Sequence, residues 1–250
     1  MSRRVALVTG AGRRNGIAHA IALGLASDGW DVAFTYWRDY ERRMSLGGDP
    51  EADPAALAGE IEALGARALA LEADLADAGT PEHVVTEAAR VLGPVEALVL
   101  SHSESVDSGI LDTTIDGFDR HVAVNARAAW LLIRAFAGQV PTEGGRIVAL
   151  TSDHVVGNLP YGASKGALDR IVIAAAGELA PLGVTANLVN PGPVDTGWMD
   201  DATRRALVAR QPTGRLGLPA DVARLVRFLV SPDSTWVTGQ LIHTDGGFSI

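Results

Sequence analysis

The 250-residue chain has no cysteine, so disulfides, thiolate metal sites and cysteine nucleophiles are excluded. It is nearly free of lysine: 20 arginines stand against one lysine, Lys165. Surface charge is carried by Arg, whereas position 165 holds a titratable point charge that Arg does not reproduce. A basic excess is also missing. The formal net charge of −9 disfavours nucleic-acid binding through phosphates and suits solubility. No apolar run approaches the roughly 18 residues of a membrane span. Met-Ser-Arg-Arg leads straight into an apolar segment at Val5, leaving no room for a signal peptide, so a cytoplasmic protein is expected.

What the chain does contain is alternation. Short apolar segments at Val5–Thr9, Asp31–Tyr36, Ala68–Leu71, Ala97–Leu100, Arg146–Thr151, Val184–Val189 and Gln240–His243 read as strands. Helical spacing occupies Ile17–Ser27, Ala55–Leu64, Pro81–Leu92, Phe118–Ala137, Tyr161–Leu179, Asp200–Ala209 and Ala220–Leu229. Continuously apolar strands separated by helices predict an α/β fold: a Rossmann-type, doubly wound parallel sheet of about seven strands with helices on both faces. No interdomain linker or repeat is visible, so residues 1–250 are expected to form a single domain. Trp37–Asp53, rich in charge, Gly and Pro, reads as an extended surface loop, either a solvated insertion or a ligand contact.

Thr9-Gly10-Ala11-Gly12-Arg13-Arg14-Asn15-Gly16-Ile17-Ala18 joins the first strand to the first helix. Glycines let the backbone approach a pyrophosphate, and a helix N-terminus supplies amide donors. Gly10, Gly12, Arg13, Arg14, Gly16 and Ile17 are therefore candidate cofactor residues. Enzymes that use NAD commonly place an acid at the end of the second strand. Here that end reads Phe34-Thr35-Tyr36-Trp37-Arg38, with no acid before Asp39. Arg13, Arg14 and Arg38 could meet a 2′-phosphate, which favours NADP(H) over NAD(H).

Tyr161-Gly162-Ala163-Ser164-Lys165 places a phenol and an ammonium one helical turn apart. An ammonium close to a phenol lowers its pKa toward working pH. Such a phenol can protonate a carbonyl oxygen or deprotonate an alcohol.

In order along the chain, these motifs resemble the short-chain dehydrogenase/reductase family over nearly the whole length. Val5–Ala22 resembles its opening strand, loop and helix. Ala73-Asp74-Leu75 falls where the family's Asp meets adenine, and Ser101 borders the cofactor in the segment after the fourth strand. Pro191, Gly192, Val194 and Thr196 lie in Asn190-Pro191-Gly192-Pro193-Val194-Asp195-Thr196, which resembles the segment along the nicotinamide. The closing part, Gly214–Ala223 and Thr238–Gly247, resembles bacterial 3-oxoacyl-carrier-protein reductase-like members. The resemblance implies catalytic roles for Asn125, Ser152, Tyr161 and Lys165. Ser152 would orient the substrate oxygen, Tyr161 transfer the proton, Lys165 lower the Tyr pKa and bond the nicotinamide ribose, and Asn125 hold a relay water. It also implies a lid at about 193–212 and a homotetramer or homodimer.

The chain departs from the family in three places. The cofactor loop is two residues longer, and Gly16-Ile17-Ala18 resembles the divergent loop of enoyl reductases, although their wider Tyr–Lys spacing argues against that reaction. The family's Asn-Asn-Ala-Gly becomes Leu100-Ser101-His102-Ser103. Ser101 is expected to replace its hydrogen bonds, and His102 faces substrate or is a satisfied structural histidine. Eight residues separate Ser152 from Tyr161, fewer than is usual. Asp153 and His154 follow Ser152, but sequence neighbours seldom form a triad and no Gly-x-Ser-x-Gly elbow is present, which opposes a hydrolase.

These features predict an oxidoreductase that moves hydride between a nicotinamide and a small carbonyl or secondary alcohol, with no metal, nucleic-acid or membrane partner. A 3-oxoacyl thioester or another ketone is the nearest substrate class. Glu143 and Leu182 replace basic residues expected of carrier-protein reductases. Alternatives are a silent NADP(H)-binding sensor or scaffold of the same fold, and a sugar or polyol dehydrogenase.

Overall fold

The computed structural model describes residues 3–250. Seven parallel strands form one sheet in the order β3-β2-β1-β4-β5-β6-β7. They are β1 (Val5–Thr9), β2 (Asp31–Tyr36), β3 (Ala68–Glu72), β4 (Val95–Leu100), β5 (Gly145–Leu150), β6 (Val184–Asn190) and β7 (Leu241–His243). Central strands are buried on both faces, which is why they read as unbroken apolar runs.

Helices α1 (Ile17–Ser27), α3 (Asp53–Ala63) and α9 (Pro219–Val230) cover one face. The other is covered by α4 (Thr80–Leu92), α6 (Ala128–Ala137) and α7 (Leu159–Glu178). Ile21, Leu25, Leu57 and Ile61 are fully buried on the first face, and Leu98, Leu132, Phe136 and Leu188 on the second. Each such side chain contributes roughly 1.5–3 kcal/mol by leaving water. The strand order reverses between β1 and β4, which opens a crevice at their carboxyl ends.

Two expectations need correction. Trp37–Asp53 is not a continuous loop, because Arg38–Met44 forms helix α2. Its first turn holds Asp39 and Glu41 and its last turn Arg42 and Arg43, a charge order that suits the helix dipole. Ser45, with φ of 50°, then ends it. The predicted single helix Phe118–Ala137 starts earlier and has three parts: α5 (Ile115–His121), a π segment (Val122–Arg127) and α6. The π segment, with its wider hydrogen-bond spacing, carries Asn125. Helix α8 (Asp201–Arg210) is capped by the Asp200 side chain, which accepts from Thr203 N–H at 2.7 Å. Among the described residues no helix is long and apolar enough to cross a membrane.

Candidate active site

Gly10 leaves β1 with φ of +80°, and a Cβ there would lie 2.6 Å from the Cα of His102. Only glycine lets the β1 and β4 exits pass this closely. The resulting cleft is lined by Gly10, Gly12, Arg13, Asp74, Leu75 and Ser101, six of the residues expected to hold a cofactor. At the head of α1 the N-cap is Gly16, with no side chain to cap the leading amides, including that of Ile17. Free amides at a helix N-terminus beside a glycine-lined cleft suit a pyrophosphate.

The three candidate arginines separate. Arg13 lines the cleft, lies 3.1 Å from Glu41 and donates to the Thr196 carbonyl at 3.3 Å. Arg14 turns to α3 and pairs with Glu60 at 2.6 Å, outside the cleft lining. Arg38 lies over the Tyr36 ring, pairs with Glu51 at 3.1 Å and also bonds Glu72.

Several cleft residues escaped the sequence reading. Trp37, Tyr40 and Glu41 reach the cleft because α2 folds over it. Their one-turn spacing was the available signal, hidden by the charge around it. Glu104 and Arg120 line it as well. The Glu104 side chain is only 2 % exposed and receives Arg43 at 2.8 Å and Arg120 at 3.4 Å. Arg120 also forks onto Asp74 at 2.9 and 3.1 Å, and its guanidinium lies 4.4 Å from the Trp37 ring centre. The carboxylate expected to meet adenine is thus already held by an arginine.

Ser152, Tyr161 and Lys165 meet beside the cleft, where the cleft-lining Ser103 also bonds the Tyr161 phenol. Lys165, 3 % exposed, donates to the Leu150 carbonyl at 2.8 Å, and its ammonium lies 5.6 Å from the Tyr161 ring centre. Burial pushes the Lys165 pKa down to about 8, while the Asp169 carboxylate one turn on opposes the fall. Thr151 bonds that carboxylate. Burial raises the Tyr161 phenol above its usual range; the Ser152 and Ser103 hydroxyls work against that, and Asp153 adds to it. This direction opposes the lowering that a nearby ammonium alone would give, because desolvation of the phenolate dominates. The Ser152 hydroxyl accepts from His154 N–H at 3.1 Å.

Asn125 is engaged on both sides of its amide. Its oxygen accepts from Glu104 N–H at 2.7 Å, and its nitrogen donates to the Glu104 carbonyl and to the Ser164 hydroxyl, each at 2.9 Å. Ser164 in turn donates to the Tyr161 carbonyl at 2.8 Å. The His102 ring is buried and bonded at both nitrogens, to Thr9 and to the Val124 carbonyl, which selects the structural reading over a substrate contact. Ser101 contributes its backbone N–H to Thr9 Oγ1 at 3.1 Å, so the side chain that ties the strands is that of His102.

Beyond β6, Asn190 Oδ1 accepts from Gly192 N–H at 3.1 Å. Gly192 has φ of +61°, and a Cβ there would sit 2.4 Å from that of Asp245. Pro191 lies between them in sequence, Val194 bridges to Gly217, and Thr196 meets Arg13. This segment is therefore tied to the cofactor loop. Met199 is buried as a core residue, whereas Trp198 is half exposed and donates to the Val194 carbonyl at 3.3 Å. Among the described residues no group of three or more His, Asp or Glu is placed to hold a metal ion.

Residues 10–249 match the family model described as Enoyl-(Acyl carrier protein) reductase. The Bacillus subtilis (strain 168) uncharacterized oxidoreductase YjdA is 36% identical over 252 residues, covering 98% of this chain and 96% of its own length. A short chain dehydrogenase from Burkholderia cenocepacia J2315, solved in complex with NADP, aligns with a TM-score of 0.88 at 36% identity, over 99% of this chain and 98% of that one. A blue fluorescent protein from a metagenomic library, solved in complex with NADPH, aligns with a TM-score of 0.89 at 35% identity, over 100% of this chain and 99% of that one. With sheet order, cleft and relatives in agreement along the chain, the protein belongs to the short-chain dehydrogenase/reductase family and is an oxidoreductase of CH–OH and C=O groups that uses NAD(P).

Proposed function

We propose that the protein is an NADP(H)-dependent reductase of a small carbonyl compound with an apolar body. The observation that carries this reading is the pairing of Tyr161 with buried Lys165 on α7, beside Ser152 at the end of β5. Ser152 donates to the substrate oxygen and orients it. Tyr161 delivers the proton to that oxygen in reduction and removes it in oxidation. Lys165 holds the ribose side of the site and favours the phenolate when the proton leaves. Asn125 acts as a brace for α7 through Ser164, since its side chain is occupied by protein partners. The nicotinamide supplies or accepts the hydride when bound.

Gly10, Gly12, Gly16 and Ile17 would carry the pyrophosphate, Asp74, Leu75 and Ser101 the adenosine half, and Pro191, Gly192, Val194 and Thr196 the nicotinamide half. Arg13, which lines the cleft, would meet a 2′-phosphate, and the relatives crystallised with NADP or NADPH support that preference. Exposed Val106, Val155, Val156 and Trp198 offer an apolar surface, the last of them on the proposed 193–212 lid. The short Tyr–Lys spacing supports a carbonyl rather than an enoyl substrate. Exposed Phe118, Trp130 and Ile173 on the α5, α6 and α7 helices suit assembly into a homotetramer or homodimer.

The test is titration with NADPH and NADH, then a carbonyl panel with Tyr161→Phe as control. Turnover that falls about 10²-fold or more in the variant, with nucleotide binding intact, is the expected result. Nucleotide binding without turnover on any carbonyl or alcohol would instead support a silent sensor.

A further inference from the structure

His102 stands where the family motif described above has alanine. Its ring lies between the end of β1 and the π segment. Nδ1 is 2.6 Å from Thr9 Oγ1, and Nε2 is 3.0 Å from the Val124 carbonyl. Only an N–H can face a carbonyl, so Nε2 carries the proton and Nδ1 accepts from the Thr9 hydroxyl. Burial, with the Lys165 ammonium nearby, pushes the His102 pKa down to about 3, which keeps this neutral form.

The contact continues beyond Val124. Next in the chain is Asn125, whose amide reaches Ser164, and Ser164 sits on α7 between Tyr161 and Lys165. At the other end, Thr9 precedes Gly10 of the cofactor loop. One neutral imidazole therefore links the cofactor strand to the helix that carries the proton-transferring pair. A hydrocarbon side chain at 102 would leave the Thr9 hydroxyl with the Val99 carbonyl at 3.2 Å and the Ser101 N–H at 3.1 Å, so the loss would fall on the Val124 carbonyl, which a merely space-filling residue would deprive of its side-chain donor.

We propose that His102 is a positioning residue: by clamping the Val124 carbonyl it fixes the π segment, and through Asn125 and Ser164 it sets Tyr161 and Lys165 against the cofactor loop. This rests on the roles assigned above to Tyr161 and Lys165. Misplacement of a reacting group by a fraction of its hydrogen-bond length lowers turnover more than binding.

Two near-isosteric variants separate the two ring contacts. His102→Asn retains a polar group near Thr9 but falls short of Val124, whereas His102→Gln reaches toward Val124. Both full-length variants are compared with wild type for NADPH Kd, kcat and KM on the best carbonyl of the panel. Amide hydrogen exchange is followed over residues 122–129 and, as a reference, over β5. The expected result for His102→Asn is a kcat lower by about tenfold or more, an NADPH Kd within about threefold, and faster exchange confined to 122–129. His102→Gln should keep kcat within about threefold and retain wild-type exchange there. Equal kcat losses in the two variants, wild-type kcat in His102→Asn, or faster exchange spread evenly into β5 would each overturn the proposal. If Tyr161→Phe kept full turnover, the proposed chemistry would fail, while the exchange comparison would still report on the clamp.

Discussion

Lys165 gives the sharpest test of the site's electrostatics, because it is the chain's one lysine. Its ammonium is buried, with the Leu150 carbonyl as its hydrogen-bond acceptor, and its pKa falls from 10.5 to about 8. At about 1.4 kcal/mol for each pH unit, that burial costs the folded protein roughly 3 kcal/mol at neutral pH. The folded value lies below the unfolded one, so between about pH 8 and 10.5 the unfolded chain holds more protons. Stability contributed by this residue therefore rises with pH through that window, and the penalty returns as pH falls back through 8. Lys165→Met removes the charge and keeps the apolar stem. Urea denaturation of both proteins from pH 7 to 10.5, at fixed protein concentration and without nucleotide, isolates the difference. Tyrosines and the α-amino group are common to the two proteins. At pH 7 the variant should be as stable as wild type or slightly more so, since relief of the roughly 3 kcal/mol penalty matches or exceeds the roughly 1.5–3 kcal/mol of the lost hydrogen bond from a charged group. Toward pH 10.5 wild type should gain on it by about 3 kcal/mol. Parallel stability curves would show that Lys165 is not desolvated as described. Carbonyl reduction should be lost in the variant at every pH.

The alkaline limb of the reduction profile should begin near pH 8 as Lys165 loses its proton, and Asp169→Asn should move it to lower pH by removing the carboxylate that holds the ammonium. An unmoved limb would separate Lys165 from that titration. Gly10→Ala forces a left-handed backbone and a Cβ against His102, so thermal unfolding should occur several degrees lower, from roughly 1–3 kcal/mol of strain. Arg13→Ala should weaken NADPH binding about tenfold while changing NADH within about twofold, measured by fluorescence titration; equal losses would remove Arg13 from 2′-phosphate recognition.

Fold class was legible because burial on both sheet faces writes itself into the strands as continuous apolar runs, with amphipathic helices between them. Tyr161 and Lys165 were legible for a local reason: a helix fixes the relation of residues four apart. Glycine at position 10 was legible as a turn, but its reason is tertiary, the backbone of His102 a few ångströms away. Other assignments depended wholly on long-range packing. Arg13 and Arg14 are adjacent in sequence, yet one lines the cleft and the other faces Glu60 on α3. Helix α2 was hidden in a charged stretch because its support comes from the cleft it covers, not from a buried face of its own. His102 left two readings open until the fold brought Thr9 and Val124 to its two nitrogens. Sequence by itself determined the periodicities and short-range pairs, since those follow from backbone geometry. The tertiary structure decided which charges pair and which polar groups are satisfied, because those depend on distances between residues far apart in the chain.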